Sequence, residues 1–128
     1  MSQAKRIMVD MSVTLLHHGH IRILKAASEL GKVVVALTTD DEIKTHKGFV
    51  PELTFEEREE IIAAIRYVDE VVPSDWLIDE TFLDQHQIDL LVHGEDNSNP
   101  ISENRLVTLP RTQGISSDKM RAKIRDSK

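Results

Sequence analysis

The sequence contains no cysteine, which excludes disulfide bonds and thiolate catalysis and makes a cytoplasmic location the default expectation. No apolar run approaches the roughly 18 residues that a membrane span requires. The first residues are charged but lack the apolar segment of a secretory signal. Basic residues are fewer than acidic ones, which gives a formal net charge of −6. This charge argues against extended nucleic-acid binding. We therefore expect a protein that binds neither a membrane nor nucleic acid.

Two familiar phosphate-binding motifs are missing as well. There is no P-loop lysine motif, and no G-x-G-x-x-G turn follows the first apolar run. Any nucleotide site must therefore be built from other residues. With 128 residues, of which 40% are hydrophobic and 30% charged, the chain is long enough for one domain, residues 1–128, with a real core.

Apolar, β-branched runs alternate with segments of helical periodicity along the chain. Five strands are predicted, at residues 7–9, 32–38, 70–72, 88–93 and 105–109. The third is predicted to stop at Pro73. This alternation predicts an α/β fold, a Rossmann-like open parallel five-stranded sheet with helices on both faces. Ligands of such sheets bind outside the carboxyl ends of the strands, so the loops that follow the first, fourth and fifth strands should meet there.

The helical segments carry recognisable start and stop signals. The first helix is predicted to end at Gly31, and the second to begin with a capping box formed by Thr54 and Glu57. A weaker helix is predicted over 78–86, and a last one near 118–124, capped by Ser116 or Ser117. The positions predicted to face the core are Ile23, Leu24, Ala27 and Leu30 in the first helix and Ile61, Ile62, Ile65 and Val68 in the second.

His17, Gly19 and His20 lie at the junction between the first strand and the first helix. Such a junction attracts anions, because free backbone N–H groups and the helix dipole both point at it. Histidines three residues apart share a face of the first helical turn, and Gly19 between them leaves room for a ligand to approach the backbone. The segment predicts a phosphate-handling site. Capping or surface histidines are one alternative, and a zinc site with His93 as a third ligand is another.

The segment from Arg111 to Ser117 is a second candidate. It combines a permanently charged guanidinium, a flexible Gly114 and two hydroxyls at the start of a helix, which are the parts of a triphosphate clamp. The alternative is a loop with a capped helix and a solvated arginine.

Several other residues are ambiguous from sequence alone. Residues 40–52 are predicted to form a polar loop, whose Lys44 and Lys47 could close over phosphates or be merely solvated. Arg58 could be a surface partner on its helix or could reach a substrate. Glu95 could contact magnesium or a ribose, whereas Trp76 favours packing over stacking on a base.

The segments His17-x-Gly19-His20 and Arg111-Thr112-x-Gly114-Ile115-Ser116-Ser117 together resemble the two signatures of the cytidylyltransferase family. The first is shared with adenylyltransferases and class I aminoacyl-tRNA synthetases, whereas the second is far more specific and points to CTP. The resemblance extends over nearly the whole chain and is closest to the small glycerol-3-phosphate cytidylyltransferases. Related domains of ethanolamine-phosphate and phosphonate-pathway enzymes are also similar.

This resemblance implies roles for individual residues. Four are implied to be catalytic: His17, His20, Lys47 and Arg111. Those implied to bind the nucleotide are Ser12, Val13, Gly19, Gly94, Glu95, Thr112, Ile115, Ser116 and Ser117. Arg58 and Lys44 are implied to bind the acceptor. The family also implies Mg²⁺ bound with CTP, and a homodimer.

The activity implied is that of a CTP-dependent nucleotidyltransferase, which transfers CMP to a small phosphorylated alcohol and releases pyrophosphate. Glycerol 3-phosphate is the first expected acceptor, and a small phosphonate or phosphoethanolamine is an alternative. An adenylyltransferase using ATP is another. The family usually has an acidic residue where this chain has Thr14. That difference keeps open a nucleotide-binding module without turnover.

Overall fold

The computed structural model describes residues 5–94, 98–110 and 112–126. Glu95 and Arg111, which were predicted to belong to the active site, lie outside the described residues. None of the described helices is both long enough and apolar enough to cross a membrane.

Strands and helices alternate as the sequence predicted. The strands are β1 (Arg6–Met11), β2 (Lys32–Thr38), β3 (Glu70–Ser74), β4 (Leu90–Gly94) and β5 (Leu106–Leu109). The α-helices are α1 (His18–Ser28), α2 (Asp40–Lys47), α3 (Phe55–Ala63), α4 (Glu80–Gln85) and α5 (Ser117–Asp126). A short 3₁₀ turn, Glu103–Arg105, precedes β5. The fold is therefore the predicted Rossmann-like α/β class.

The strands form one parallel sheet in the order β3-β2-β1-β4-β5. The strand order reverses between β1 and β4, which pair through Ile7 with Leu90 and Val9 with Val92. In open α/β sheets this switch point is where the carboxyl-end crevice opens. The residues that follow Val9 and Val92 therefore occupy the position in the fold where a ligand is expected.

Successive side chains of β1 point to opposite faces and enter separate cores, because the strand period is two. Ile7 and Val9 pack with Leu24 of α1 and Ile62 of α3 on one face. Met8 packs with Ile78 and with Leu83 of α4 on the other. Helices thus cover both faces, as predicted, and hold the carboxyl ends of the strands in fixed positions.

The prediction of a polar loop over 40–52 is wrong for its first half, which forms α2. Acidic residues fill its first turn and basic residues its last, an arrangement that complements the helix dipole without an apolar stripe. Ile43 is its single buried residue. The apolar periodicity of this segment therefore did not indicate a helix. The order of its charges, acidic first and basic last, did. The helix ends at Gly48, whose φ of 79° is left-handed.

Four smaller expectations are corrected. Pro73 does not stop β3, because β3 is an edge strand and a missing N–H is tolerated there. Leu30 is 43% exposed because α1 has already ended, and Ile61 is 39% exposed because Ile62 takes the core position. Gly31 is not a left-handed stop. A side chain there would instead collide with the carbonyl oxygen of Lys5, 2.2 Å from the Cβ position.

Candidate active site

A cleft of about 1150 Å³ opens outside the carboxyl ends of the strands. Its walls come from the segments after β1, β2, β4 and β5 and from the first turns of α1 and α5. This is the location that the parallel-sheet prediction required. We call it the carboxyl-end cleft.

The two signature segments meet at this cleft although they are about a hundred residues apart in sequence. A β-carbon at Gly19 would lie 3.4 Å from the Cβ of Thr112. The Ser117 hydroxyl donates to the carbonyl oxygen of Leu15 over 2.6 Å, and the Leu15 N–H donates back to that hydroxyl at 3.3 Å. The structure therefore confirms that the loop carrying the histidines and the loop after β5 adjoin.

The two imidazoles are fixed by backbone hydrogen bonds at the start of α1. His17 is the N-cap residue, and its Nδ1 accepts the Gly19 N–H at 3.1 Å. The Nδ1 of His20 accepts the His17 N–H, also at 3.1 Å, and the ring centroids are 3.9 Å apart. Because each Nδ1 acts as an acceptor, the proton of each neutral ring lies on Nε2. The pair therefore offers Nε2–H donors, and the capping alternative is compatible with a role in binding.

His20 is a neutral donor at physiological pH. Burial, together with a smaller contribution from charge repulsion by the adjacent His17, lowers the pKa of His20 from 6.5 to about 4. The Nδ1 of His20 accepts the backbone N–H of His17, so this nitrogen carries no proton in that hydrogen bond. His20 can thus stabilise a phosphoryl oxygen by hydrogen bonding and does not have to lose a proton first.

Gly19 is required for a reason that the sequence did not reveal. A side chain at this position would place its Cβ 2.8 Å from Cε1 and 2.9 Å from Nδ1 of His17. The residue therefore makes room for the His17 ring that caps the helix, as well as for close approach to the backbone.

Most of the nominated residues that the structure describes lie together. Those that line the carboxyl-end cleft are Ser12, His17, Gly19, His20, Lys47, Gly94, Thr112 and Ile115. Ser116 and Ser117 do not line the cleft but support the segment that does. Ser116 caps α5 by accepting the Lys119 N–H, and Ser117 binds Leu15. Lys44 is exposed on α2 and does not line the cleft.

Val13 and Thr14 point away from the cleft. The Val13 side chain is buried in the core that contains α1, so that only its backbone can serve the site. Its φ of 48° is an outlier for a β-branched residue. Thr14 is fully buried, and its hydroxyl has no hydrogen-bond partner in the described part of the chain.

Arg58 is a buried structural residue. Its side chain is inaccessible to solvent, and its guanidinium binds the carbonyl oxygens of Ser12, Thr38 and Leu53 and the carboxylate of Asp40 at 2.6–3.3 Å. This excludes the surface-partner interpretation. It also differs from the expected contact with an acceptor phosphate, because Arg58 reaches the site only by holding the ends of β1 and β2 in place.

Sequence reasoning missed a polar network at the centre of the cleft. His93 Nδ1 lies 2.5 Å from one oxygen of Asp10, and the Asn99 side-chain amide donates to the other at 3.1 Å. Asn99 in turn accepts the Ile78 N–H. No local motif marks this network, because Asp10 and His93 are 83 residues apart and come together only by directly following paired positions of β1 and β4.

Trp76 and Arg22 also line the cleft. Trp76 stacks on His46 with ring centroids 5.0 Å apart, so its packing partner is a polar ring at the rim and not the core. Arg22 extends from α1 and is a second cation, after Lys47, among the residues that line the cleft.

The described side chains do not form a metal cage. In the described ranges, no three His, Asp or Glu residues are grouped so that they could hold a metal ion. This set does not support the zinc alternative, and it does not form a protein-built magnesium site. Magnesium bound with CTP does not require such a group and stays a prediction.

Known proteins with similar sequences identify the family of this chain. Residues 14–123 match the family model described as cytidylyltransferase-like. Glycerol-3-phosphate cytidylyltransferase of Bacillus subtilis (strain 168) is 34% identical over 125 residues, covering 94% of this chain and 97% of that protein. Ethanolamine-phosphate cytidylyltransferase of Mus musculus is 40% identical over 93 residues, which cover 71% of this chain and 23% of that protein.

A solved structure shares the fold. The lipopolysaccharide core biosynthesis protein from Thermoplasma volcanium GSS1 has a TM-score of 0.65, with 21% identity, over 97% of this chain and 88% of that chain. At this identity the likeness supports the architecture alone. The family model and the full-length relative, taken with the two adjoining signature segments, show that this chain belongs to the cytidylyltransferase-like family.

Proposed function

We propose that this protein is a CTP-dependent nucleotidyltransferase that transfers CMP to a small phosphorylated alcohol, with glycerol 3-phosphate as the first choice. The observation that carries the proposal is the meeting of the histidine loop with the 112–117 segment, where Ser117 is hydrogen-bonded to Leu15 and a β-carbon at Gly19 would contact Thr112. A nucleoside triphosphate that binds across one cleft requires both segments at the same end of the strands. Both segments lie at the carboxyl ends.

The reaction follows from the charges of the reactants. An oxygen of the acceptor's phosphate forms a bond to the α-phosphorus of CTP, and the bond from that phosphorus to the bridging oxygen of the β-phosphate breaks. Pyrophosphate leaves with that oxygen. The acceptor is already an anion near neutral pH, since the second pKa of a phosphate monoester is about 6. The protein therefore has to position two polyanions, and a strong general base is not required.

The cleft residues supply complementary groups for this task. The Nε2–H donors of His17 and His20 would bind phosphoryl oxygens at the amino end of α1, where the helix dipole also favours negative charge. Lys47 would contribute a positive charge from the end of α2. Ser12, Gly94, Thr112 and Ile115 would contact the nucleotide, together with Glu95, which follows Gly94 in sequence. Arg111 of the second signature would act with the catalytic histidines. Lys44 would attract the acceptor from the exposed face of α2.

Two features support glycerol 3-phosphate over the other acceptors. The relative from Bacillus subtilis is matched over nearly its full length, and so is glycerol-3-phosphate cytidylyltransferase of Staphylococcus aureus (strain NCTC 8325 / PS 47), at 33% identity and 95% of its length. The ethanolamine-phosphate relative from mouse is matched over about a quarter of its length. Phosphoethanolamine and small phosphonates remain the next candidates.

Magnesium would enter with the substrate. Because the triphosphate itself binds Mg²⁺ well, CTP would arrive as its magnesium complex, which needs no dedicated protein cage. The family resemblance also predicts a homodimer, and the lack of cysteine predicts a cytoplasmic location; both stay predictions.

The test is an assay of pyrophosphate release with CTP or ATP and a panel of acceptors, namely glycerol 3-phosphate, phosphoethanolamine and hydroxymethylphosphonate. We expect release with CTP and glycerol 3-phosphate, and a CDP-alcohol detectable by ³¹P NMR. Release with ATP but not CTP would replace the proposal with adenylyl transfer. Saturable CTP binding without release for any acceptor would favour the binding module.

A further inference from the structure

Glu52 and Arg121 form a close, two-pronged ion pair between the segment that follows Lys47 and helix α5. Lys47 and Asp118 of α5 both line the carboxyl-end cleft. The guanidinium donates through Nε to one carboxylate oxygen at 2.6 Å and through Nη2 to the other at 2.8 Å. The same guanidinium lies 4.6 Å above the ring of Phe49 and 3.1 Å from Asp118. This parallel geometry is the strongest form of an arginine–carboxylate contact. We call the Glu52–Arg121–Phe49 group the clasp.

The clasp joins two segments that both serve the cleft. Phe49 and Glu52 lie two and five residues after Lys47, which ends α2. The left-handed Gly48 stands between Lys47 and Phe49. Arg121 lies one turn into α5, just after the 112–117 segment. The pair thus spans 69 residues of sequence and ties the lysine-bearing segment to the helix that presents the second signature.

Helix α5 packs with little burial. None of its residues is buried. Within the described ranges, the other hydrogen bonds that join its first turn to a distant segment are the pair between Ser117 and Leu15. A helix without an apolar anchor depends on polar contacts for its docked position, and such elements open locally more easily than core elements.

The electrostatics agree with a formed pair. The hydrogen bond from Arg121 lowers the pKa of Glu52, and the same bond raises the pKa of Arg121. The Arg121 side chain is 22% exposed and that of Glu52 is 45% exposed, so the contact is only partly shielded from water. Its contribution therefore rests on the two-pronged geometry, because partial exposure to water weakens the charge attraction.

We propose that Glu52 and Arg121 are positioning residues that hold the Lys47 segment against α5 across the cleft, and so set the affinity for both substrates. This inference rests on the proposed function. Neither residue contacts the reacting atoms: both act through Lys47 and through the 112–117 segment. Loss of the clasp should therefore weaken substrate binding more than it slows the chemical step.

The test compares Arg121→Met, Arg121→Lys and the matched control Arg125→Met, all in the full chain. Arg125 lies on the same helix, is exposed, and makes no ion pair in the part of the chain that the structure describes. Hydrogen–deuterium exchange without substrate measures docking of residues 118–126. We expect amide exchange there to rise about fivefold in Arg121→Met, with less change in Arg121→Lys and none in the control.

Steady-state kinetics give the second readout. We expect the KM for CTP and for glycerol 3-phosphate to rise about fivefold in Arg121→Met, while kcat at saturation changes less than twofold. The reversed pair Glu52→Arg with Arg121→Glu should recover part of the KM relative to either single reversal. A purely structural contact would lower the melting temperature and leave KM unchanged.

Unchanged exchange in residues 118–126 of Arg121→Met would overturn the clasp, whatever the enzyme does. Unchanged KM with raised exchange would overturn its role in substrate binding. Inactivity of the wild-type chain with every acceptor would instead contradict the proposed function, and the exchange measurement would still decide whether the clasp docks α5.

Discussion

The Ser117 hydroxyl and the backbone of Leu15 are bound to each other in both directions, with the carbonyl of Leu15 accepting at 2.6 Å and its N–H donating at 3.3 Å. One residue begins α5 and the other precedes the histidine pair. A single side chain therefore fixes the spacing between the two signature segments. Assembly of the site therefore depends on a tertiary contact between two loops that are about a hundred residues apart in sequence.

His17 combines a structural and a chemical role, and two substitutions separate them. His17→Ala removes the cap and the Nε2–H donor, so it should cost about 1 kcal/mol of stability and about a hundredfold in kcat. His17→Asn retains a good N-cap, so stability should be restored while activity stays low. Urea unfolding and pyrophosphate release measure the two effects. Activity of His17→Asn near that of the wild type would contradict the donor role.

The lowered pKa of His20 predicts how stability depends on pH. Between pH 6.5 and about 4, the unfolded chain binds a proton at His20 that the folded chain does not. The free energy of unfolding should therefore fall as the pH decreases through this window, by up to about 3 kcal/mol from this group, and stay flat above it.

The measurement is urea denaturation at pH 7.5, 6, 5 and 4 on the wild type and on His20→Asn, because the difference between them removes the contribution of the carboxylates. The difference should be largest at pH 7.5 and shrink toward pH 4. Parallel curves would show that His20 is not held neutral by the fold.

The sequence predicted the sheet because its strands are continuous apolar runs, such as 32–38. Such runs are typical of parallel strands that are buried on both faces. It failed for α2, which is held by one buried isoleucine and by its charge order. The site was predicted where local motifs carry the chemistry, as with His17 and His20. It was missed where partners come from separate strands, since nothing near Asp10 in sequence indicates His93, 83 residues away.

Thr14 provides a test of the difference from the family's acidic residue. Its hydroxyl is buried without a partner in the described structure, and such a group costs stability. Thr14→Val should therefore raise the free energy of unfolding by about 1 kcal/mol. Thr38→Val is the matched control, because Thr38 is also buried but donates to the Met11 carbonyl, and it should not be stabilised.

Activity completes the Thr14 test. If the Thr14 hydroxyl takes no part in the reaction, pyrophosphate release by Thr14→Val should equal that of the wild type. A large loss of kcat in a stabilised Thr14→Val variant would mean that this hydroxyl contacts a substrate.

Arg58 offers a contrast between structural and substrate-binding arginines. Arg58→Met leaves three carbonyls and the Asp40 carboxylate without their donor, so it should destabilise the fold by about 3 kcal/mol or more. Arg66→Met, at an exposed arginine, should leave the melting temperature unchanged. Thermal unfolding of both variants measures the difference. A stable Arg58→Met protein with only a raised KM for the acceptor would restore the original expectation of a phosphate contact.

The central claim is that the histidine loop and the 112–117 segment bind one CTP molecule. The most direct measurement is a titration of ¹⁵N-labelled protein with Mg–CTP, following backbone amide shifts. We predict that the amides of Gly19 and His20 and those of residues 112–117 shift along one binding curve with the same midpoint. A response confined to one segment, or two separate midpoints, would contradict the claim.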